Sequence, residues 1–180
     1  GESALFEFTE QNPHRIDIIN AVAKTFRHLG NLEKAEKWYK KLLKRKPDAS
    51  IYNELGRICE LLLRLCDAAE YYNKAVELEN NDDYKSNLAN CLIRTAKIEE
   101  GISIFRNLVK QGTSKEIHSN YLSNLHYLPC LDEKLLFEEH TSWAEMHAPV
   151  HQNSIRHENE FDPNRKLKIG YVSPDFCEHS

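Results

Sequence analysis

Apolar positions recur along this chain at helical spacing, in pairs of segments, and the pairs themselves repeat. Leu32, Leu65 and Ile98 stand 33 residues apart, as do Ala35, Ala68 and Gly101. Tyr39, Tyr72 and Phe105 keep the same step, and so do Leu42, Ala75 and Leu108. Upstream in each unit it relates Val22, Leu55 and Leu88, and also Ala23, Gly56 and Ala89. Columns that hold one register across successive units identify an internal repeat. Within a unit the spacing predicts two helices separated by a short break, Gly30-Asn31 in the first. Small residues stand where paired helices must approach closely, and the aromatic column fills the space between neighbouring hairpins. Pro47 follows the second helix of the first unit, where a helix should stop.

This alternation of small and large residues resembles the tetratricopeptide repeat, whose usual period is about 34 residues. The pattern overruns both ends. One step back from Tyr39 is Phe6, so Ala4 to Thr9 read as the tail of an earlier second helix. One step on from Ser86-Asn87-Leu88 is Ser119-Asn120-Tyr121, where a further unit begins before Pro129 breaks it. Leu131 to Ala148 then reads as a longer, atypical helix, as terminal repeats often do. The expected organisation is a repeat tail at 1–15, repeats at 16–48, 49–81 and 82–114, a partial repeat with capping helices at 115–150, a loop at 151–165 and a strand with its loop at 166–180. The fold class is all-α, a right-handed superhelix of antiparallel helix pairs, with one C-terminal β-strand. Leu167 to Val172 is that strand, and a lone strand lacks partners for its backbone groups. Asp175, Glu178 and His179 follow its carboxyl end, the place where open α/β sheets bind ligands. The chain therefore reads as a helical scaffold joined to the start of an enzyme domain.

Composition narrows the function classes. The net charge of -4 argues against a general nucleic-acid surface, and no apolar run is long enough for a membrane span. The five cysteines are scattered, with no C-x-x-C pair, which points to reduced thiols in a cytoplasmic or nucleocytoplasmic setting. Cys59 and Cys91 fall on the buried side of first helices. His140, His147 and His151 share a helical spacing, but no acidic or thiol partner converges on them and no metal is assigned. Trp143, with Phe137 and Leu136, is read as packing against a following domain. In the acidic run Glu77 to Asp83, Asp82 or Asp83 is the expected N-cap of the next helix.

In such arrays the first helix of each unit lines the concave face. Asn20, Lys24, Arg27, Asn53, Arg57, Asn87, Asn90, Arg94 and Asn120 are expected to project there. An asparagine amide both donates and accepts, so it suits a groove that holds the backbone of an extended peptide. Asn87 and Asn120 share one register and are expected to be exposed, with Asn20 and Asn53 in a neighbouring one. The alternative is a solvated polar face.

One further resemblance rests on particular strings. The repeats are followed by Ser119-Asn120-Tyr121-Leu122, Leu125-His126-Tyr127, His140, Trp143 and Lys168-Ile169-Gly170-Tyr171-Val172-Ser173-Pro174-Asp175-Phe176. Together these resemble the O-linked N-acetylglucosamine transferase and SPINDLY family. The resemblance implies an inverting glycosyltransferase with two Rossmann-like lobes that transfers a sugar to Ser or Thr hydroxyls without a metal or other cofactor. Lys168 to Ser173 would be the first strand of the first lobe, truncated here. His179 matches the family's active-site histidine, as a base or as a residue that orients substrate. Pro174 and His179-Ser180 look more like SPINDLY, which leaves UDP-N-acetylglucosamine and GDP-fucose both open as donors. The donor site would lie beyond Ser180, so this stretch alone is expected to be inactive. Acceptor proteins or peptides in the groove are the implied partners, with no nucleic acid and no membrane, and a homo-oligomer is compatible with the pattern. The competing reading is a non-enzymatic adaptor that binds extended peptides.

Overall fold

A computed structural model describes residues 15–148, together with Phe8, Asn12, Asp162, Lys166 and Gly170. The chain divides into two compact units, Gly1–Pro149 and Val150–Ser180. The expected strand, its loop with His179, the loop before it and the helix tail at Ala4 to Thr9 lie outside the described residues. Within the first unit the described residues form eight helices: α1 (Ile16–His28), α2 (Leu32–Leu43), α3 (Ala49–Leu61), α4 (Leu65–Leu78), α5 (Asp82–Arg94), α6 (Ile98–Lys110), α7 (Lys115–Leu125) and α8 (Glu133–His147). Each helix packs on its neighbours in sequence, and α5 also reaches α7. This is a linear array of helical hairpins.

The repeating columns form its core. Ala35, Ala68, Tyr39, Tyr72, Phe105, Ala23, Leu55 and Ala89 are fully buried. Three apolar clusters follow one another along the array, and each draws on adjacent hairpins. One glycine in each of the two small-residue columns shows how close the packing is. A Cβ on Gly56 would lie 2.6 Å from the Tyr72 ring, and one on Gly101 would lie 2.6 Å from the Ala89 carbonyl oxygen.

The connections repeat as well. Between hairpins, a side chain caps the next first helix: Asp48 accepts from Ser50 N–H at 2.9 Å, Asn81 from Asp83 N–H at 2.9 Å and Ser114 from Ile117 N–H at 3.3 Å. These caps are 33 residues apart. Asn81, not Asp82 or Asp83, holds the α5 cap, because the helix already begins at Asp82. Asp82 and Asp83 instead stand in the first turn, where a negative charge favours the helix dipole.

Inside each of the first three hairpins the chain reverses through a left-handed residue. Gly30 (φ 74°), Leu63 (φ 58°) and Ala96 (φ 64°) occupy one column. Asn31 N–H donates to Phe26 O at 2.9 Å, Arg64 N–H to Cys59 O at 2.8 Å and Lys97 N–H to Leu92 O at 2.9 Å. This is the Schellman pattern, which normally takes glycine at the left-handed position. Leu63 is 79% exposed there, so its side chain gains little in return for a strained backbone. Leu63→Gly is expected to raise unfolding stability by about 1 kcal/mol in denaturant titration. An unchanged or lower midpoint would show that the turn carries no such strain.

Candidate functional site

The first helices α1, α3, α5 and α7 are joined to one another by polar side chains on a single face. Arg27 Nε lies 3.0 Å from Glu54 Oε2, linking α1 to α3. Asn87 Nδ2 donates to Asn53 Oδ1 at 2.9 Å, and Arg94 Nη1 to Glu60 Oε1 at 2.7 Å, linking α5 to α3. Asn124 Nδ2 donates to Asn90 Oδ1 at 2.8 Å, linking α7 to α5. The last three links each span 34 residues, a one-residue diagonal across the 33-residue repeat. A depression of about 410 Å³ lies over the α5–α7 end, lined in part by Glu60, Asn87, Asn90, Arg94, Asn124 and Tyr127.

The sequence-predicted residues fall on this face with some changes. Asn120, Lys24, Arg57 and Arg94 are exposed, and Asn20, Arg27 and Asn90 are half-buried. Asn53 is buried, and Asn87 is half-buried rather than exposed because its amide turns onto Asn53. Asn87 and Asn120 are therefore not equivalent despite their shared register. Glu54, Glu60, Asn124 and Tyr127 complete the face and were not anticipated. Asn124 alone carried a signal, standing 34 residues after Asn90.

The chemistry of the face is that of a backbone reader. Once Asn87 has donated to Asn53, the pair keeps one NH2 donor and one carbonyl acceptor with no further partner among the described residues. Asn90 and Asn124 leave the same complement, because Asn124 also donates to the Asn120 carbonyl oxygen at 2.8 Å. Alternating donors and acceptors are what the N–H and C=O groups of an extended peptide require.

The buried aromatic column supports the face from beneath. Tyr72 Oη donates to Glu60 Oε2 at 2.5 Å, so both oxygens of Glu60 are held, one by Tyr72 and one by Arg94. Burial, with the Glu60 hydrogen bond, raises the Tyr72 phenol well above its ordinary range. Burial likewise pushes Tyr39 up to about 12, with Glu54 adding to the effect. Both hydroxyls are neutral at physiological pH, and that of Tyr72 is the one with an acceptor among the described residues.

At the C-terminal end, α8 docks through a pair of imidazoles. His118 is 1% exposed, and its Nδ1 lies 3.0 Å from His147 Nε2. His118 Nε2 is buried with no hydrogen-bond partner, so the proton is assigned to Nδ1, which donates to His147. His147 thus turns to α7, while His140 is exposed and lines a separate depression with His126. His151 lies outside the described residues. Trp143 also packs within this unit. Its indole N–H donates to the Lys115 carbonyl oxygen at 3.4 Å, and its ring lies 5.6 Å from His147. Phe137 is the exposed residue of that trio, at 72%.

Burial lowers the His118 pKa, the His147 imidazole lowers it further, and Glu139 partly opposes them. A histidine held below its unfolded value binds its proton more readily when unfolded. Its stabilising contribution is complete above about pH 6.5 and is lost as pH falls through the folded value. Denaturant midpoints should therefore drop from pH 7.5 to 5.5, and His118→Leu should flatten that dependence. Equal slopes in both proteins would remove His118 as the cause.

Residues 16–48 and 49–82 match the tetratricopeptide repeat. The chain carries tetratricopeptide repeats. Over 68 residues it is 38% identical to a protein of Arabidopsis thaliana named "Probable UDP-N-acetylglucosamine--peptide N-acetylglucosaminyltransferase SPINDLY". That stretch is 37% of this chain and only 7% of the relative's length. Among solved structures, the tetratricopeptide array resembles an O-GlcNAc transferase mutant of Thermobaculum terrenum, with TM-score 0.63 and 23% identity, over 72% of this chain and 26% of that one. It also resembles YrrB, described as a TPR protein with an unusual peptide-binding site, with TM-score 0.64 and 17% identity, over 80% of this chain and 75% of the other. At these identities the structural likeness establishes the tetratricopeptide fold. Among the described residues, no helix is long and apolar enough to cross a membrane.

Proposed function

We propose that this chain is the acceptor-binding repeat region of a protein O-glycosyltransferase, and that its first-helix face holds extended segments of acceptor proteins. The amide ladder across α3, α5 and α7 carries the reading, because it offers paired donors and acceptors along one continuous surface. The SPINDLY likeness supports the enzyme class in this reading. In the intact enzyme a nucleotide sugar, UDP-N-acetylglucosamine or GDP-fucose, would be the donor, and His179 would act at the acceptor hydroxyl. A peptide-binding adaptor is the second reading, favoured by the resemblance to YrrB.

Two measurements test these claims. In the intact protein, donor-dependent mass addition to Ser/Thr peptides supports the enzyme, and its absence with both donors leaves the adaptor. Retention of near-normal transfer by His179→Ala would remove the role of His179. For the groove, Asn87→Ala combined with Asn120→Ala should weaken binding of an extended peptide about tenfold. The lost Asn53–Asn87 bond should cost about 1 kcal/mol of stability. Unchanged peptide affinity would count against the ladder.

A further inference from the structure

The charge on the first-helix face is uneven along the array. Lys24, Arg57, Asn90 and Ser123 occupy one column at the 33-residue step, so it is basic over α1 and α3 and neutral over α5 and α7. Over α1 and α3 a single carboxylate serves two guanidinium groups. Glu54 lies 3.0 Å from Arg27 Nε and 3.4 Å from Arg57 Nη1. Lys24 is exposed and has no ion pair among the described residues. Over α5 the balance is even, because Arg94 is matched by Glu60 at 2.7 Å. The rest of the face there is uncharged, made of amides with Ser123 and Tyr127. This cationic surplus stands on a protein whose net charge is -4, so it is a local departure and not a reflection of composition.

We infer that this face selects an extended peptide whose acidic side chains lie over α1 and α3 and whose uncharged polar residues lie over α5 and α7. The assignment rests on peptide binding by the same face and adds the chemistry of the ligand. Two bound carboxylates would complete the pairing of Arg57 and Lys24, because Glu54 alone leaves Lys24, Arg27 and Arg57 two charges short. Packed helices lie about 8–10 Å apart and an extended chain advances about 3.4 Å per residue. Acidic residues two positions apart share one face of an extended chain, about 7 Å from each other, and would reach the long Lys24 and Arg57 side chains in turn.

Fluorescence anisotropy of labelled peptides tests this. Each peptide shares a Ser/Thr/Ala/Val backbone and differs only at two positions two residues apart, filled by Glu, Gln or Lys. The Glu peptide is expected to bind about tenfold tighter than the Gln peptide, and the Lys peptide most weakly. The Glu advantage should shrink at about 0.5 M salt. Lys24→Glu with Arg57→Glu should reverse the preference, and the milder Lys24→Ala with Arg57→Gln should abolish it, so that the Glu and Gln peptides bind alike. If the Gln peptide binds and the Glu peptide gains nothing, the charge assignment falls and the groove reading stands. If none of the three binds, both fall.

Discussion

Tyr72→Ala is expected to remove about 3–5 kcal/mol from unfolding stability, the usual cost of truncating a fully buried aromatic side chain. Tyr72 has no exposed surface, and its ring closes directly over Gly56, which has no Cβ to fill the space left behind. The substitution also frees Glu60 Oε2, so the groove carboxylate keeps only Arg94. Tyr72→Phe separates the two effects. It preserves the packing and removes one hydrogen bond to a charged acceptor, at about 1.5–3 kcal/mol. Domain stability is typically about 5–15 kcal/mol, so the alanine variant should lose much of its margin at body temperature. Equilibrium denaturation reads both variants. A loss below about 1 kcal/mol for Tyr72→Ala would mean that the hairpins close over the cavity, contrary to the packing described.

Gly101→Val is the second large loss expected. Even a Cβ at this position would sit 2.6 Å from the Ala89 carbonyl oxygen and 2.6 Å from Ile93 Cγ1. A side chain can swing aside, but the Ala89 oxygen belongs to the backbone of α5. Relief requires α5 and α6 to separate along a contact that buries Phe105 and Ala89. Overpacking of this kind costs about 1–3 kcal/mol, and a β-branched residue should reach the top of that range. Gly101→Ala should cost less, because its better helix propensity returns up to about 1 kcal/mol against the same clash. A Val variant as stable as the Ala variant would show that the helices are not in tight contact here.

The core was readable from the sequence because a repeat states it several times. Tyr39, Tyr72 and Phe105 each reinforce the same assignment, and all three are buried. The reversals were readable once, at Gly30, and hidden at Leu63 and Ala96. There the paired backbone hydrogen bonds impose a left-handed residue that local propensity would not choose. The groove was legible as a set of residues but not as a set of bonds. A column links positions 33 apart, whereas Asn53–Asn87 and Asn90–Asn124 join positions 34 apart. The His118–His147 pair had no such signal, because α8 lies outside the repeat and has no earlier copy to compare.

The array is held together by contacts between neighbours, with a side-chain cap recurring between hairpins and one reversal recurring inside the first three of them. No hairpin carries information about how many others precede or follow it. A duplication or loss of one whole hairpin would therefore present each remaining junction with the partner it already fits, whereas insertion of a few residues inside α3 or α5 would put every cross-linked amide out of step. Length can vary in this architecture by whole repeats, and the reach of its ligand-facing surface would vary in the same increments.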